Sequence, residues 1–294
     1  MQDGLVVVDK EAGWTSHDVV AKLRGIYRQR RVGHAGTLDP DATGVLLVGL
    51  GRVTRLLRFL QEAGKEYRAR VVFGVATDTL DASGAVLERA EMRVTRAQLE
   101  DVAAAFTGDI EQVPPMVSAL KVDGRKLYEL AREGVEVERA ARPVHIAQLV
   151  VEDFEPGPYP EATIRVACSS GTYIRTLAAD LGAALGGCAH LGSLRRLRVG
   201  SFTLADARPI ADLDDTVLTP AEAVRDLRRV VADDDTARAV AHGATFPASA
   251  FGEAIEGAQE FAIVDGAGAL LAVYERRGGG VKPAVVLATE VVAS

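Results

Sequence analysis

Two rhythms of apolar and polar positions divide the first half of the chain into elements. Leu5-Val6-Val7-Val8 is a short continuous apolar run between Gly4 and Asp9, and it predicts a buried strand. Residues 17–30 change to helical spacing, with Val19, Val20, Leu23 and Ile26 on one face and Lys22, Arg24, Arg28 and Arg30 on the others; Thr15-Ser16 offers an N-cap. A second apolar run, 45–50, precedes a helix over 54–60 that carries Arg55 and Arg58. Residues 67–73 alternate as Tyr-Arg-Ala-Arg-Val-Val-Phe and read as a strand ended by Gly74. An amphipathic helix follows over 95–106, with Thr95 as its cap, and Val113-Pro114-Pro115-Met116 is a stiff extended break.

The second half predicts a short helix over 127–132, strands over 144–154 and 162–168, and a helix over 171–185 entered through Ser169-Ser170-Gly171. Strands return without a regular βαβ rhythm. The expected fold class is therefore α+β, a mixed, largely antiparallel sheet with flanking helices. The acidic stretch 206–235 reads as a linker with a short helix near 221–229. Glycine-rich turns and short strands over 261–264, 269–274 and 284–287 then predict a small C-terminal β domain. The expected division is a larger domain over 1–230 and a smaller one over 236–294.

Composition narrows the class. The 294 residues are 48% hydrophobic and 26% charged, as in a globular protein with a sizeable core. No apolar run reaches the ~18 residues that span a bilayer, and the first residues lack the form of a signal peptide. Two cysteines, Cys168 and Cys188, without CxxC spacing fit neither a disulfide framework nor a zinc site. The expected location is the cytoplasm, with no membrane association.

Charge changes the picture further. The net charge of −7 speaks against a polyanionic partner, but its distribution does not. Residues 1–70 hold 12 Lys and Arg against 8 Asp and Glu, whereas 206–235 hold 9 acids against 4 arginines. Arg195, Arg196 and Arg198 form another basic cluster, as do Lys121, Arg125 and Lys126. A polyanion can meet a local basic face on an acidic protein.

The strongest chemical signal is Gly33-His34-Ala35-Gly36-Thr37-Leu38-Asp39-Pro40-Asp41-Ala42-Thr43-Gly44. Pro40 pushes Asp39 out of the α region, and the glycines permit tight turns. Asp39 reads either as a turn aspartate or as a displayed reactive carboxylate beside His34. The letters also spell D-x-D-x-T, the nucleophile loop of magnesium-dependent phosphohydrolases, but that motif needs a strand running directly into its first aspartate. Gly49-Leu50-Gly51 imitates a dinucleotide loop without its third glycine or βαβ setting. Five histidines show no HExxH spacing, and with only two cysteines no metal site is expected. Tyr67, Tyr173 and Arg175 read as packing and ion-pair residues or as cleft residues. In the second case, an arginine close to a catalytic carboxylate holds it ionised.

Taken in order, several motifs resemble the TruB family of tRNA pseudouridine synthases. They are Asp9-Lys10-Glu11-Ala12-Gly13-Trp14-Thr15-Ser16, the Asp39 loop, Lys65-Glu66-Tyr67, Pro114-Pro115-Met116 with Ser118-Ala119-Leu120-Lys121, and Gly171-Thr172-Tyr173-Ile174-Arg175. The resemblance covers about residues 4–204, and the last sixty residues resemble a PUA-type RNA-binding domain. It implies isomerisation of the T-loop uridine at position 55 of tRNA, by base flipping, in a monomer that needs no obligate protein partner. Asp39 falls on the catalytic aspartate, Tyr67 on the base-stacking tyrosine and Arg175 on the arginine that pairs with the aspartate. His34, Tyr173 and Leu194 fall on uridine-contacting positions, Lys10 on a supporting lysine, and 114–142 on an insertion that contacts RNA. Two departures are Glu11, where the family has proline, and Val117, where an aromatic is common. A non-catalytic RNA-binding protein or tRNA-folding chaperone would use the same basic clusters, and differs only in leaving uridine unchanged.

Overall fold

Gly4–Lys10 forms strand β1 and buries the apolar run at its centre, in a computed structural model that describes residues 2–118, 121–122, 124–127, 130, 133–135 and 137–288. Ser16–Ile26 is helix α1. Its cap is Thr15, whose hydroxyl accepts from Asp18 N while the Asp18 carboxylate accepts from Thr15 N, a reciprocal capping box. The helix ends short of residue 30 because Arg28 takes a φ of 48°, outside the right-handed helical region. Val32–Ala35 (β2) and Thr43–Leu50 (β3) pair antiparallel, with His34 opposite Val48. The expected helix over 54–60 is a 3-10 turn, Gly51–Arg55, followed by α2, Leu57–Glu62.

Lys65–Phe73 is β4, and Val75–Thr77 (β5) pairs with Val86–Arg89 (β6) in a small ribbon. Arg96–Ala105 is α3, with the Thr95 cap expected from sequence. Gly108–Gln112 is β7, and Lys121–Val122 (β8) pairs with Arg125–Lys126 (β9). Arg142–Glu155 (β10), Glu161–Cys168 (β11), Ile174–Ala184 (α4) and Ala189–Val199 (β12) complete this region. Beyond it come Phe202–Thr203 (β13), Pro220–Ala223 (α5), Arg228–Val231 (β14), Asp234–Ala241 (α6), Phe246–Pro247 (β15), Glu260–Val264 (β16), Leu270–Arg277 (β17) and Gly280–Val286 (β18). Residues 128, 129, 131 and 132 of the helix expected over 127–132 lie outside the described residues, as do Ala119 and Leu120. Among the described residues no helix is long and apolar enough to cross a membrane.

The chain divides into two units. The second, Asp41–Gly44 with Glu62–Val199, is built on the strand order β12-β4-β11-β10-β7, antiparallel throughout. Thr43 and Gly44 add a short parallel pairing to Arg195 and Arg196. Alternation along β4 buries Tyr67, Ala69, Val71 and Phe73 and exposes Arg68 and Arg70, which pair with Glu152 and Glu161. Helix α4 packs on β12 and α3 on β10. The α+β, largely antiparallel reading of the sequence is the observed class. The helix expected over 171–185 starts only at Ile174, after a turn through Gly171 at a φ of 82°.

The first unit comprises Met1–Pro40, Val45–Gln61 and Gly200–Ser294. Here β3 lies between β1 and β2. The expected linker over 206–235 is instead attached structure. Leu5 and Leu218 exchange hydrogen bonds at 2.9 Å, Arg208 N donates to Val7 O at 3.0 Å, and Asp9 N donates to Arg208 O at 2.9 Å. The physical reason is that the free edge of β1 carries main-chain donors and acceptors that need partners. The same stretch holds a helix only to Ala223, and Arg228–Val231 is a strand. The strand order β14-β16-β17-β18-β15 forms a second sheet in this unit. Its core of Phe261, Ile263, Leu271 and Tyr274 is covered by Ala237 and Val240 of α6.

Candidate active site

Asp39 sits between two residues whose main chains are fixed. Before it, Leu38 is 3% exposed and is held at both main-chain atoms by one hydroxyl: Leu38 N donates to Ser16 Oγ at 2.9 Å, and Ser16 Oγ donates to Leu38 O at 3.0 Å. After it, Pro40 O accepts from Gly13 N at 3.0 Å and from Lys10 Nζ at 2.9 Å. Gly36 turns the chain out of β2 with a φ of 81°. The strand therefore stops at Ala35, and Gly36, Thr37 and Leu38 separate it from Asp39. A phosphohydrolase loop, which needs its strand to run into the acid, does not have this form.

Lys10 is fully buried, and its ammonium donates to three carbonyls, Glu11 at 2.9 Å, Trp14 at 2.6 Å and Pro40 at 2.9 Å. A buried ammonium is tolerated when its N–H bonds find acceptors. Lys10 thereby ties the turn after β1, where Glu11 replaces proline, to the loop of Asp39. His34, half-buried on β2, stands edge-on to the His17 ring with centroids 5.4 Å apart.

The remaining sequence-predicted residues lie in the second unit. Tyr67 is 7% exposed on β4, opposite Val166 on one side and Arg196 on the other. Leu194, half-buried on β12, is opposite Ala69, two positions along β4 from Tyr67. Tyr173 is the N-cap position of α4, and Arg175 lies in the first turn, 7% exposed. The Arg175 guanidinium donates to Val117 O at 2.7 Å and to Thr79 O at 3.3 Å, and lies 3.5 Å from Asp81 Oδ2. Because the contact at Val117 is to its carbonyl, the departure from an aromatic there leaves it intact.

Four residues escape sequence reasoning, Ser16 in the first unit and Asp81, Leu80 and Gln112 in the second. Asp81 orders its own turn, accepting from Thr79 Oγ1 and Ser83 Oγ at 2.6 Å each, and offers its other oxygen to Arg175. Leu80, between Thr79 and Asp81, has a φ of 62°, a strained conformation for a bulky residue. Ser16 looks like a cap but serves Leu38. Gln112, 1% exposed, reaches the main chain of Tyr173. The available signals are Thr79-Leu80-Asp81 in a turn and a glutamine closing an otherwise alternating strand, both weak without the fold.

Lys65, two residues before Tyr67 and opposite Cys168, is 7% exposed. Burial, and then repulsion from the Arg196 guanidinium, push its amine down to about 8. Burial also pushes the Cys168 thiol up to about 11, so it carries no thiolate near neutrality.

Residues 24–174 match the model of the TruB family pseudouridylate synthase (N terminal domain), and residues 175–238 that of the tRNA pseudouridylate synthase B C-terminal domain. The chain is 49% identical over 245 residues to the tRNA pseudouridine synthase B of Symbiobacterium thermophilum, covering 82% of each. It is 45% identical over 299 residues to that of Thermobifida fusca, covering 98% of this chain and 99% of the relative. A crystal structure of a Cbf5-Nop10-Gar1 complex superposes with a TM-score of 0.72 at 29% identity, covering 92% of this chain and 78% of that one.

Proposed function

The chain belongs to the TruB family of pseudouridylate synthases, isomerases of tRNA uridine, and from that premise we propose that its target is the uridine at position 55 in the T-loop. The observation that carries the reading is the Asp39 loop. Ser16, Lys10 and Gly13 fix the main chain on both sides of the acid, which is how a carboxylate is held in position for a reaction.

In this reading the uridine leaves its stack at a cost of a few kcal/mol. Tyr67 receives the flipped base, and aromatic stacking returns roughly 1–3 kcal/mol. The bond from the uracil nitrogen to the sugar breaks, the ring turns, and a bond from carbon replaces it. The displaced carbon-bound proton leaves, the freed nitrogen takes one up, and the composition is unchanged. Asp39 acts by attacking the sugar or by removing a sugar proton. Arg175 is the cation that the family resemblance assigns to keep that carboxylate ionised. His34, Tyr173 and Leu194 contact the uridine, and Lys10 supports the loop. Neither route calls for a cofactor or metal.

The T-arm stem-loop is the bound element, engaged by the insertion at 114–142 and by a PUA-like domain over 236–294. An open concavity of about 490 Å³ on the second sheet, lined by Phe246, Arg277 and Lys282 among others, suits an anionic strand. The protein works as a cytoplasmic monomer without an obligate protein partner.

The test maps pseudouridine on tRNA after incubation with the protein and no added metal. Modification at position 55, lost in Asp39→Asn while the variant still binds the stem-loop, is the expected result. Modification elsewhere, or normal turnover by the variant, overturns the proposal. Wild-type protein that binds tRNA and leaves uridine unchanged would be a chaperone instead.

A further inference from the structure

Gln112 is the last residue of β7, and its partner in register on β10 is Arg142. The insertion therefore leaves the sheet at Gln112 and returns beside it at Arg142. The Gln112 side chain is buried, 1% exposed, and its carboxamide meets the main chain of one residue twice. Tyr173 N donates to Gln112 Oε1 at 2.9 Å, and Gln112 Nε2 donates to Tyr173 O at 3.3 Å. Tyr173 O also accepts the first helical bond of α4, from Leu177 N at 3.0 Å, and a carbonyl with two lone pairs accommodates both. No side chain caps α4 from Tyr173 itself; this carboxamide meets the N–H of the N-cap residue, the part that a Glu or Gln at N3 takes in a capping box.

The residues that follow Gln112 continue the attachment. Thr176 Oγ1 donates to Val113 O at 3.4 Å, and Arg175 Nη2 donates to Val117 O at 2.7 Å. The segment that starts the insertion and the turn that carries Tyr173 and Arg175 are thus one hydrogen-bonded body, with Gln112 as its buried polar centre.

We propose that Gln112 is a positioning residue of the isomerase: it fixes the main chain of Tyr173, and through it the place of Tyr173 and Arg175, at the neck of the RNA-contacting insertion. The proposal rests on the function argued above for Tyr173 and Arg175. Buried carboxamides are kept where both their donor and acceptor are used, and a small misplacement of a catalytic group costs up to about 100-fold in rate.

The experiment compares wild type with Gln112→Met, which matches the side chain in length and pairs with nothing, and with Gln112→Glu. Turnover on a T-arm stem-loop is measured per folded molecule, together with main-chain hydrogen exchange of the segment containing Tyr173 in the free protein. For Gln112→Met the expected result is a kcat lower by about 10- to 100-fold, a KM within about 3-fold, and faster exchange at Tyr173. The carboxylate of Gln112→Glu accepts but does not donate, whereas its protonated form does both. Its activity relative to wild type should therefore rise as pH falls, a response that general loosening of the fold does not produce. Wild-type kcat in Gln112→Met, a loss confined to KM, or a flat pH ratio for Gln112→Glu overturns the proposal. Wild type that forms no pseudouridine refutes the assigned reaction instead. In that event hydrogen exchange, which needs no substrate, still decides: unchanged exchange at Tyr173 in Gln112→Met overturns the positioning role.

Discussion

One hydroxyl, that of Ser16, holds both main-chain atoms of Leu38, accepting from its N–H at 2.9 Å and donating to its carbonyl at 3.0 Å. Both residues are buried, and Leu38 immediately precedes Asp39. Ser16→Ala leaves a buried N–H and C=O without that partner, a cost of about 1–3 kcal/mol each at most. The expected outcome is a lower urea midpoint and a kcat reduced by at least about 10-fold, with RNA affinity little changed. A variant with wild-type kcat would show that Ser16 contributes only to stability.

Arg175 uses its planar fork on three separate acceptors, Val117 O, Thr79 O and Asp81. Lysine offers a single compact charge and cannot span them. Arg175→Lys should lower kcat by about 100-fold or more, since each hydrogen bond to a charged group contributes about 1.5–3 kcal/mol. Asp81→Asn keeps the shape and loses the charge, and should give a smaller loss. Single-turnover rates on a T-arm stem-loop check both. Equal rates for Arg175→Lys and wild type would assign the guanidinium a packing role alone.

Gly44 and Gly13 separate two reasons for a glycine. Both have positive φ, 102° and 83°. A Cβ on Gly44 would fall far inside the contact distance of the Arg196 main chain, whereas one on Gly13 would meet nothing within 4 Å. Gly13→Ala should cost about 1–2 kcal/mol, the penalty of the left-handed conformation. Gly44→Ala should cost clearly more, because the strand pairing of Thr43-Gly44 with Arg195-Arg196 must also shift. Denaturant unfolding of the pair checks the order, and equal losses would refute the close approach.

Legibility from sequence follows the range of the interactions. The apolar runs in β1 and β3, the alternation of β4 and the Thr95 cap of α3 rest on neighbouring residues, and each was readable in place. β12 was not, because Arg195, Arg196 and Arg198 break its apolar rhythm while Arg196 is 1% exposed. The attachment of 206–218 to β1 was invisible because main-chain groups make it, and main chain carries no sequence signal. Asp39 stood out through its proline and glycines. Ser16 did not, since a serine after Thr15 satisfies the local rule for a cap. Gln112 and Asp81 act on residues far along the chain, Tyr173 and Arg175, and only the folded sheet brings those partners together.

Lys65 gives the protein a pH dependence of determined sign. Its amine is pushed down to about 8 by burial and by Arg196, while in the unfolded chain it titrates near the ordinary 10.5. Between about pH 8 and 10.5 the unfolded state thus binds more protons at this site than the native state, and stability contributed by Lys65 rises with pH across that window. Below pH 8 both states are protonated and the burial cost of the charge is present in full. Lys65→Met removes the titration and keeps the stem of the side chain. The difference in unfolding free energy between Lys65→Met and wild type should therefore be constant below pH 8 and move in favour of wild type from pH 8 to 10.5. Cys168, whose thiol is pushed up to about 11, opposes this trend above pH 9 in both proteins and largely cancels in the comparison. Urea unfolding of the two proteins at a series of pH values measures the difference directly, and a difference that stays flat, or moves toward the variant, would mean that the buried amine is held charged in the native state.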